Sequence, residues 1–241
     1  MRVAVADVGT NSTHLMIAEA HGGDYRVLDA LKVRTRLGEC LDSSGNLTPE
    51  GEDRLAETLL RFRELSAAAD VVDLRVYATS ALREAPNGPD VAARMRARTS
   101  VYPVIISGER EGRLTYLGAA HSVEFGADNL LLDLGGGSLE IARGGPDAPS
   151  DVLSLPLGAI RMTDAYLTSD PPTKGQVRAL STAVEAALKP YRGRFEVGDQ
   201  TEVFLSSGTA EAAALALASA GDTAAQCQWP DCDRARAGPP A

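Results

Sequence analysis

The sequence predicts an α/β protein of two related lobes with a phosphate-binding cleft between them, on three observations. First, residues 3–18 (VAVADVGTNSTHLMIA) and 130–142 (LLLDLGGGSLEIA) share one pattern: an apolar run, Asp-x-Gly-x-x-Ser, and a second apolar run. Second, the two copies stand about half the chain apart, with Asp7 matching Asp133, and such self-similarity reports a duplicated architecture. Third, alternating strand-like runs and helical periodicities follow each copy, the pattern of α/β lobes.

Each copy reads as a β-hairpin whose turn is made of glycine and small polar residues. Gly9 and Gly135, Gly136 and Gly137 let the backbone take positive φ and expose successive N–H groups. Concave turns of that kind bind phosphate oxygens, and a neighbouring Asp can hold a hydrated Mg²⁺. Two ordinary glycine hairpins are the plainer alternative, and for one copy alone it prevails. The Asp and Ser shared by both copies favour phosphate.

In the first lobe, strands are predicted over 3–6 and 15–20 around the Asp7 loop, with a third over 25–36. CLDSSGNL (40–47) is a polar loop. Thr48-Pro49 then opens a helix, Thr as N-cap, Pro at the first position and Glu50, Glu52 and Asp53 in the first turn. Its apolar face is Leu55, Leu59 and Phe62, continued by Leu65 and Ala69. A strand over 74–78 ends in TSALREA, and PNGP (86–89) breaks the chain before a helix through 91–98. A strand over 102–106, Ser107-Gly108 and a helix over about 109–120 complete a lobe ending near residue 125.

The second lobe, 126–220, begins in the same way. Strands over 130–133 and 139–143 flank its glycine loop, and 152–155 supplies the third. Helices over 160–166 and 173–191 precede a strand over 203–205, Ser206-Ser207-Gly208-Thr209 and a helix to about 218. Compared with the first lobe, it reads as incomplete by a strand and a helix. Residues 221–241 have no periodicity and read as a disordered tail.

Composition narrows the class. The 241 residues are 44% hydrophobic and 24% charged, as in soluble globular proteins. No apolar run approaches the ~18 residues of a membrane span, and the N-terminus does not read as a secretory signal, so the cytoplasm is expected. Cys40, Cys227 and Cys232 do not make a disulfide framework, and the last two, without a nearby His, read as free thiols rather than a zinc site. A net charge of −9 argues against non-specific nucleic-acid binding. A phosphate site in so acidic a chain must be local, built from backbone amides, a few arginines and Mg²⁺.

Five segments in order narrow the reading further: ADVGTNSTHL, ATSALREAPN, VIISGEREGRLTYLG, LLLDLGGGSLEIA and LPLGAIRMTDAYL. The paired loops resemble the actin-like superfamily, whose lobes share a ribonuclease-H-like core. The five segments together resemble the exopolyphosphatase and guanosine pentaphosphate phosphatase (Ppx/GppA) family over about residues 2–209. The resemblance implies two actin-like lobes, Mg²⁺, and hydrolysis of the terminal phosphate of inorganic polyphosphate or of pppGpp.

Hydrolysing a phosphoanhydride requires charge neutralisation, orientation and a positioned water. Asn11, Ser12, Gly135, Gly136, Gly137 and Ser138 suit the first two tasks, and Asp7 and Asp133, at strand ends, suit Mg²⁺. Both Asp residues equally suit capping of their own turns. Taken alone, Glu109 and Glu111 are ordinary first-turn acids, favourable to the helix dipole. The resemblance places Glu111 at the general-base position, although Arg110 and Gly112 depart from the commonest family choices. It likewise implies a phosphate role for Arg83 in TSALREA, otherwise a helix-surface arginine, and for Gly208 and Thr209. Glu140 is a further metal or water ligand by resemblance, with Leu139 where the family usually has Thr. Arg113 suits an exposed pair with Glu109, and His14 a structural role.

Three function classes follow. A Mg²⁺-dependent exopolyphosphatase leads, with pppGpp as the alternative substrate. A non-catalytic polyphosphate or alarmone sensor is second, and an actin-like filament or sugar kinase third. A bare sheet edge in the second lobe would favour a homodimer.

Overall fold

The computed structural model describes residues 1–71 and 73–219. The expected tail, with Cys227 and Cys232, lies outside the described residues. Strands β1 (Arg2–Val8), β2 (Thr13–His21) and β3 (Asp24–Val33) run antiparallel, and a 3-10 turn (Leu37–Cys40) follows. Then come α1 (Pro49–Ala68), β4 (Leu74–Ala78), α2 (Ser80–Glu84), α3 (Gly88–Thr99), β5 (Pro103–Ile105) and α4 (Gly108–Ser122). The second half consists of β6 (Asn129–Leu134), β7 (Leu139–Gly144), β8 (Pro149–Leu155), α5 (Ala159–Tyr166), α6 (Lys174–Leu188), β9 (Glu202–Ser206) and α7 (Gly208–Ser219).

The first sheet has the order β3-β2-β1-β4-β5 and the second β8-β7-β6-β9. In both, the first three strands form an antiparallel meander, and the fourth joins the first in parallel. The registers repeat as well. Asp7 pairs with His14 on one side and Tyr77 on the other; Asp133 pairs with Glu140 and Ser206. The motif duplication is therefore a duplication of topology. Among the described residues β9 has no outer neighbour, and Val203 and Leu205 on it are exposed.

Local chemistry explains the element boundaries. The Thr48 hydroxyl accepts the Gly51 N–H and Pro49 fills the first position of α1, as its sequence predicts. Thr173 and Gln176 form a reciprocal capping box on α6. That helix ends at Leu188, short of the expected 191, because Pro190 lies in a 3-10 turn spanning Lys189–Tyr191. The main core lies between the first sheet and α1 and α3, with Leu55, Leu59, Phe62, Val91 and Met95 closed to solvent. Burying each such side chain contributes ~1.5–3 kcal/mol.

The expected lobe boundary near residue 125 leaves α4 with the first lobe, but its side chains pack on the second sheet. Tyr116 joins Phe125, Leu131 and Ala142 in a cluster distinct from the first-lobe core. The close approach depends on Gly108 and Gly112, one turn apart. A Cβ on Gly108 would stand 2.1 Å from Ser154 Oγ, and one on Gly112 would stand 2.8 Å from Val152 Cγ1. The second sheet is thus covered by α4 on one face, while Val184 and Leu188 of α6 pack on a separate cluster holding Leu130, Ile141 and Leu153. Gly118 of the same helix would meet nothing within 4 Å. Gly118→Ala is therefore expected to raise stability by ~1 kcal/mol in urea unfolding, the helix-propensity difference. Gly112→Ala should lower it; equal gains would show that α4 does not dock through its glycines.

Candidate active site

Gly9, Gly135, Gly136 and Gly137 do not take the expected positive φ; what the two loops share is a hydrogen-bonding device. In the first, Gly9 N–H donates to Ser12 O at 3.1 Å, Thr10 O accepts Gly38 N–H at 2.9 Å and Asn11 O accepts Arg36 N–H at 2.8 Å. In the second, Gly135 N–H donates to Ser138 O at 3.0 Å. Gly135 O accepts Ala159 N–H at 2.9 Å, Gly136 O accepts Ile160 N–H at 3.0 Å, and Gly137 O accepts Arg161 Nε at 2.8 Å. The segment after the third strand of each meander thus anchors the loop carbonyls. Among the described residues, the N–H groups of Thr10, Asn11, Ser12, Gly136, Gly137 and Ser138 find no protein acceptor. Unpaired runs of amides at concave turns are anion seats. The loops also meet: a Cβ on Gly137 would stand 2.2 Å from Ser80 Oγ and 2.6 Å from Thr10 Oγ1.

Beside the loops, Arg83 of α2 and Glu111 of α4 form an ion pair at 2.6 Å, each less than one-fifth exposed. Arg83 also donates to Ile106 O at 3.3 Å and to Ser138 Oγ at 3.5 Å. The guanidinium therefore links the first lobe, α4 and the second glycine loop. Burial pushes the Glu111 carboxyl above the ordinary range, and the Arg83 hydrogen bond and charge oppose this. Glu140 stands behind Arg83 at 3.9 Å, 2% exposed, accepting the Ser154 hydroxyl at 2.7 Å. Burial, then the Glu111 charge, push it up to about 7.

Asp7 remains open to water on one side but is walled by protein on the others. Burial, the Glu111 charge and the Asp133 charge push its carboxyl up to about 7. Asp133 accepts the Thr115 hydroxyl at 3.2 Å; burial raises its pKa, while hydrogen bonds from Thr115 and Ser206 oppose the rise. Asp7, Asp133 and Glu140, the expected metal residues, do not make one ligand set. Among the described residues no three His, Cys, Asp or Glu side chains are placed to hold an ion by themselves. Glu140 is withdrawn beneath Gly108 and Gly112 of α4, where Ser154 engages it. Asp7 and Asp133 suit a cation of the Mg²⁺ type, which takes one or two carboxylates and fills its shell with water and phosphate oxygens.

The Ser207-Gly208-Thr209 turn closes the site beyond β9. Ser207 holds φ at 99°, donates its hydroxyl to Leu134 O at 2.6 Å, and accepts Thr209 N–H at 3.2 Å. Across the cleft, Lys32 Nζ lies 3.9 Å from where a Gly208 Cβ would be. Lys32 also pairs in register with His14, whose pKa is lowered by burial and then by the Lys32 charge. Asn11 is exposed at the rim, whereas Ser12 is buried with its hydroxyl unpartnered. Sequence reasoning did not single out Lys32, Arg161, Thr10 or Thr115. Thr10, Thr115 and Arg161 lie within the quoted segments ADVGTNSTHL, VIISGEREGRLTYLG and LPLGAIRMTDAYL, whereas Lys32 lies outside all five. Arg113 makes no ion pair with Glu109 among the described residues, and the two line a groove of about 450 Å³ with Arg110 and Arg194.

The chain is 40% identical over 190 residues to Exopolyphosphatase 1 of Mycobacterium tuberculosis, covering 78% of this chain and 55% of that protein. It therefore spans about half the length of the curated relatives it matches. Among solved structures, a Ppx/GppA family member from Aquifex aeolicus superposes with a TM-score of 0.74 at 27% identity, covering 95% of this chain and 72% of that one. An exopolyphosphatase from Cytophaga hutchinsonii gives 0.81 at 25% identity, covering 98% and 78%. The expected pair of actin-like lobes is thus the fold of this chain. The Ppx/GppA phosphatase family model matches residues 5–230, and the chain belongs to that family.

Proposed function

We propose that this chain hydrolyses the terminal phosphoanhydride bond of inorganic polyphosphate, with Mg²⁺, and releases orthophosphate. The observation that carries this reading is the pair of facing loops with free amides, set around the Arg83–Glu111 pair. The exopolyphosphatase names of its relatives support the substrate.

The terminal phosphate sits between the loops, where the six free N–H groups and Arg83 neutralise its oxygens. The buried, unpartnered Ser12 hydroxyl costs ~1–3 kcal/mol, which a phosphate oxygen would relieve. Glu111 takes a proton from water as the water oxygen bonds to phosphorus in line with the bridging oxygen. The bridging oxygen leaves with the shortened chain. Asp7 and Asp133 would hold Mg²⁺, which supplies further neutralisation at the phosphate oxygens. The raised basicity of Glu111 suits proton acceptance, and Glu140, Ser138 and Ile106 O keep Arg83 in place.

A sensor without turnover is the second reading, because the Glu111 carboxylate is already engaged by Arg83. Phosphate release from short-chain polyphosphate, pppGpp and ATP with a sugar acceptor, each with and without EDTA, decides. Release from polyphosphate that EDTA removes supports the proposal. Release from pppGpp alone moves the substrate to the nucleotide, and sugar-dependent ADP formation indicates a kinase. Calorimetric binding without release indicates a sensor. Monomers in sedimentation at micromolar concentration would exclude a homodimer through β9, which has no outer neighbour among the described residues. No helix among the described residues is long and apolar enough to cross a membrane.

A further inference from the structure

We propose that Arg161 and Glu84 form an inter-lobe latch that positions the second glycine loop for phosphate, a role that rests on the phosphohydrolase reading. Arg161, in the first turn of α5, donates Nε to Gly137 O at 2.8 Å and pairs through its terminal nitrogen with Glu84 Oε2. Glu84 ends α2 in the other lobe, and its second oxygen accepts the Ser80 hydroxyl at 2.7 Å. Ser80 is also the group that a Cβ on Gly137 would strike. One planar guanidinium thus holds the loop through Nε and the opposite lobe through a terminal nitrogen, using the fork that distinguishes arginine from lysine.

The consequence for the site follows from peptide geometry. In a trans peptide the C=O and the next N–H point in opposite directions. Holding Gly137 O toward Arg161 therefore turns Ser138 N–H away from it, one of the free amides beside Arg83. The Gly135 and Gly136 carbonyls are fixed by backbone amides of α5 alone. Gly137 is the loop residue whose carbonyl is held by a side chain, and that side chain crosses the cleft. Arg161 and Glu84 are 40% and 34% exposed, so the pair adds little to global stability and acts through geometry.

The test is steady-state phosphate release from short-chain polyphosphate with Mg²⁺ by wild type, Arg161→Gln, Glu84→Gln and the double variant. Each single variant is expected to lower kcat about 10- to 100-fold, the scale of a displacement near 1 Å, with Tm unchanged. The double variant should fall no further than the worse single one. Wild-type kcat in both singles, or losses that multiply in the double, would overturn the latch. Should Arg161→Gln not fold, Glu84→Gln decides alone by the same criterion. Should wild type release no phosphate from any polyanion, the phosphohydrolase reading fails, and lobe separation decides the latch. Spin labels at Arg61→Cys and Arg178→Cys, in a background with Cys227 and Cys232 replaced by Ser, report the distance between lobes. A broadened distribution in Glu84→Gln supports the latch; an unchanged one overturns it.

Discussion

Glu111→Gln is expected to lower phosphate release about 10²- to 10⁴-fold while polyphosphate binding persists, the range for loss of a general base. The substitution preserves volume and leaves an oxygen to accept the Arg83 hydrogen bond, so the site should stay assembled. What disappears is the carboxylate that takes the proton. The pH profile supplies an independent check. Burial raises the Glu111 pKa, so the protonated, inactive form persists to higher pH than for an ordinary carboxylate. The acid limb of kcat/KM, which reports the free enzyme, should be displaced upward accordingly. Arg83 lowers the Glu111 pKa by hydrogen bond and charge, so Arg83→Met should move the acid limb of its residual activity higher still. Full turnover in Glu111→Gln would place the base elsewhere. Loss of binding in the same variant would make the Arg83–Glu111 pair a support for the loops rather than the seat of proton transfer.

How much of this site could be read from the chain depends on whether its signals were local. The hairpins around Asp7 and Asp133, the 74–78 strand and the Thr48 cap are encoded within a few residues each. Glu111 and Arg83 were legible as candidates through their motifs, but their pairing joins positions in different elements and needed the fold. For Glu140 the fold supplies surroundings that the motif does not. This residue follows the glycine loop as a cleft residue would, yet its register opposite Asp133 carries it under α4. The signal was present in Gly108 and Gly112: two glycines one turn apart in a helix mark close backbone approach. Gly112 reads in sequence as a departure from the commonest family choice, whereas in the structure it makes room for Val152 and Glu140. Lys32 had no local signal at all. A lone lysine on an edge strand becomes a cleft residue only because the second lobe brings Gly208 opposite it.

Gly158→Ala is expected to damage the site by the opposite route to loss of the base. Gly158 precedes α5 with φ −65° and ψ 149°, a conformation alanine adopts freely, so the conflict is one of space. An added Cβ would stand 2.2 Å from Gly137 C, 2.3 Å from Gly137 N and 2.4 Å from Gly136 C. These are backbone atoms, so no side-chain rotation relieves the contact. Either α5 or the second glycine loop must move, and the hydrogen bonds from Ala159, Ile160 and Arg161 to Gly135, Gly136 and Gly137 join the two. Overpacking of this kind costs ~1–3 kcal/mol, read as a lower urea midpoint. A loop shift near 1 Å should lower kcat/KM about 10²-fold. Binding separates the two variants: Glu111→Gln keeps the amides in place and loses the proton acceptor, whereas Gly158→Ala keeps Glu111 and displaces the amides. Polyphosphate affinity should therefore survive in the first and fall in the second. Wild-type affinity and turnover in a folded Gly158→Ala protein would mean that phosphate is not held by the second loop, and the first loop with Arg83 would have to bind it alone.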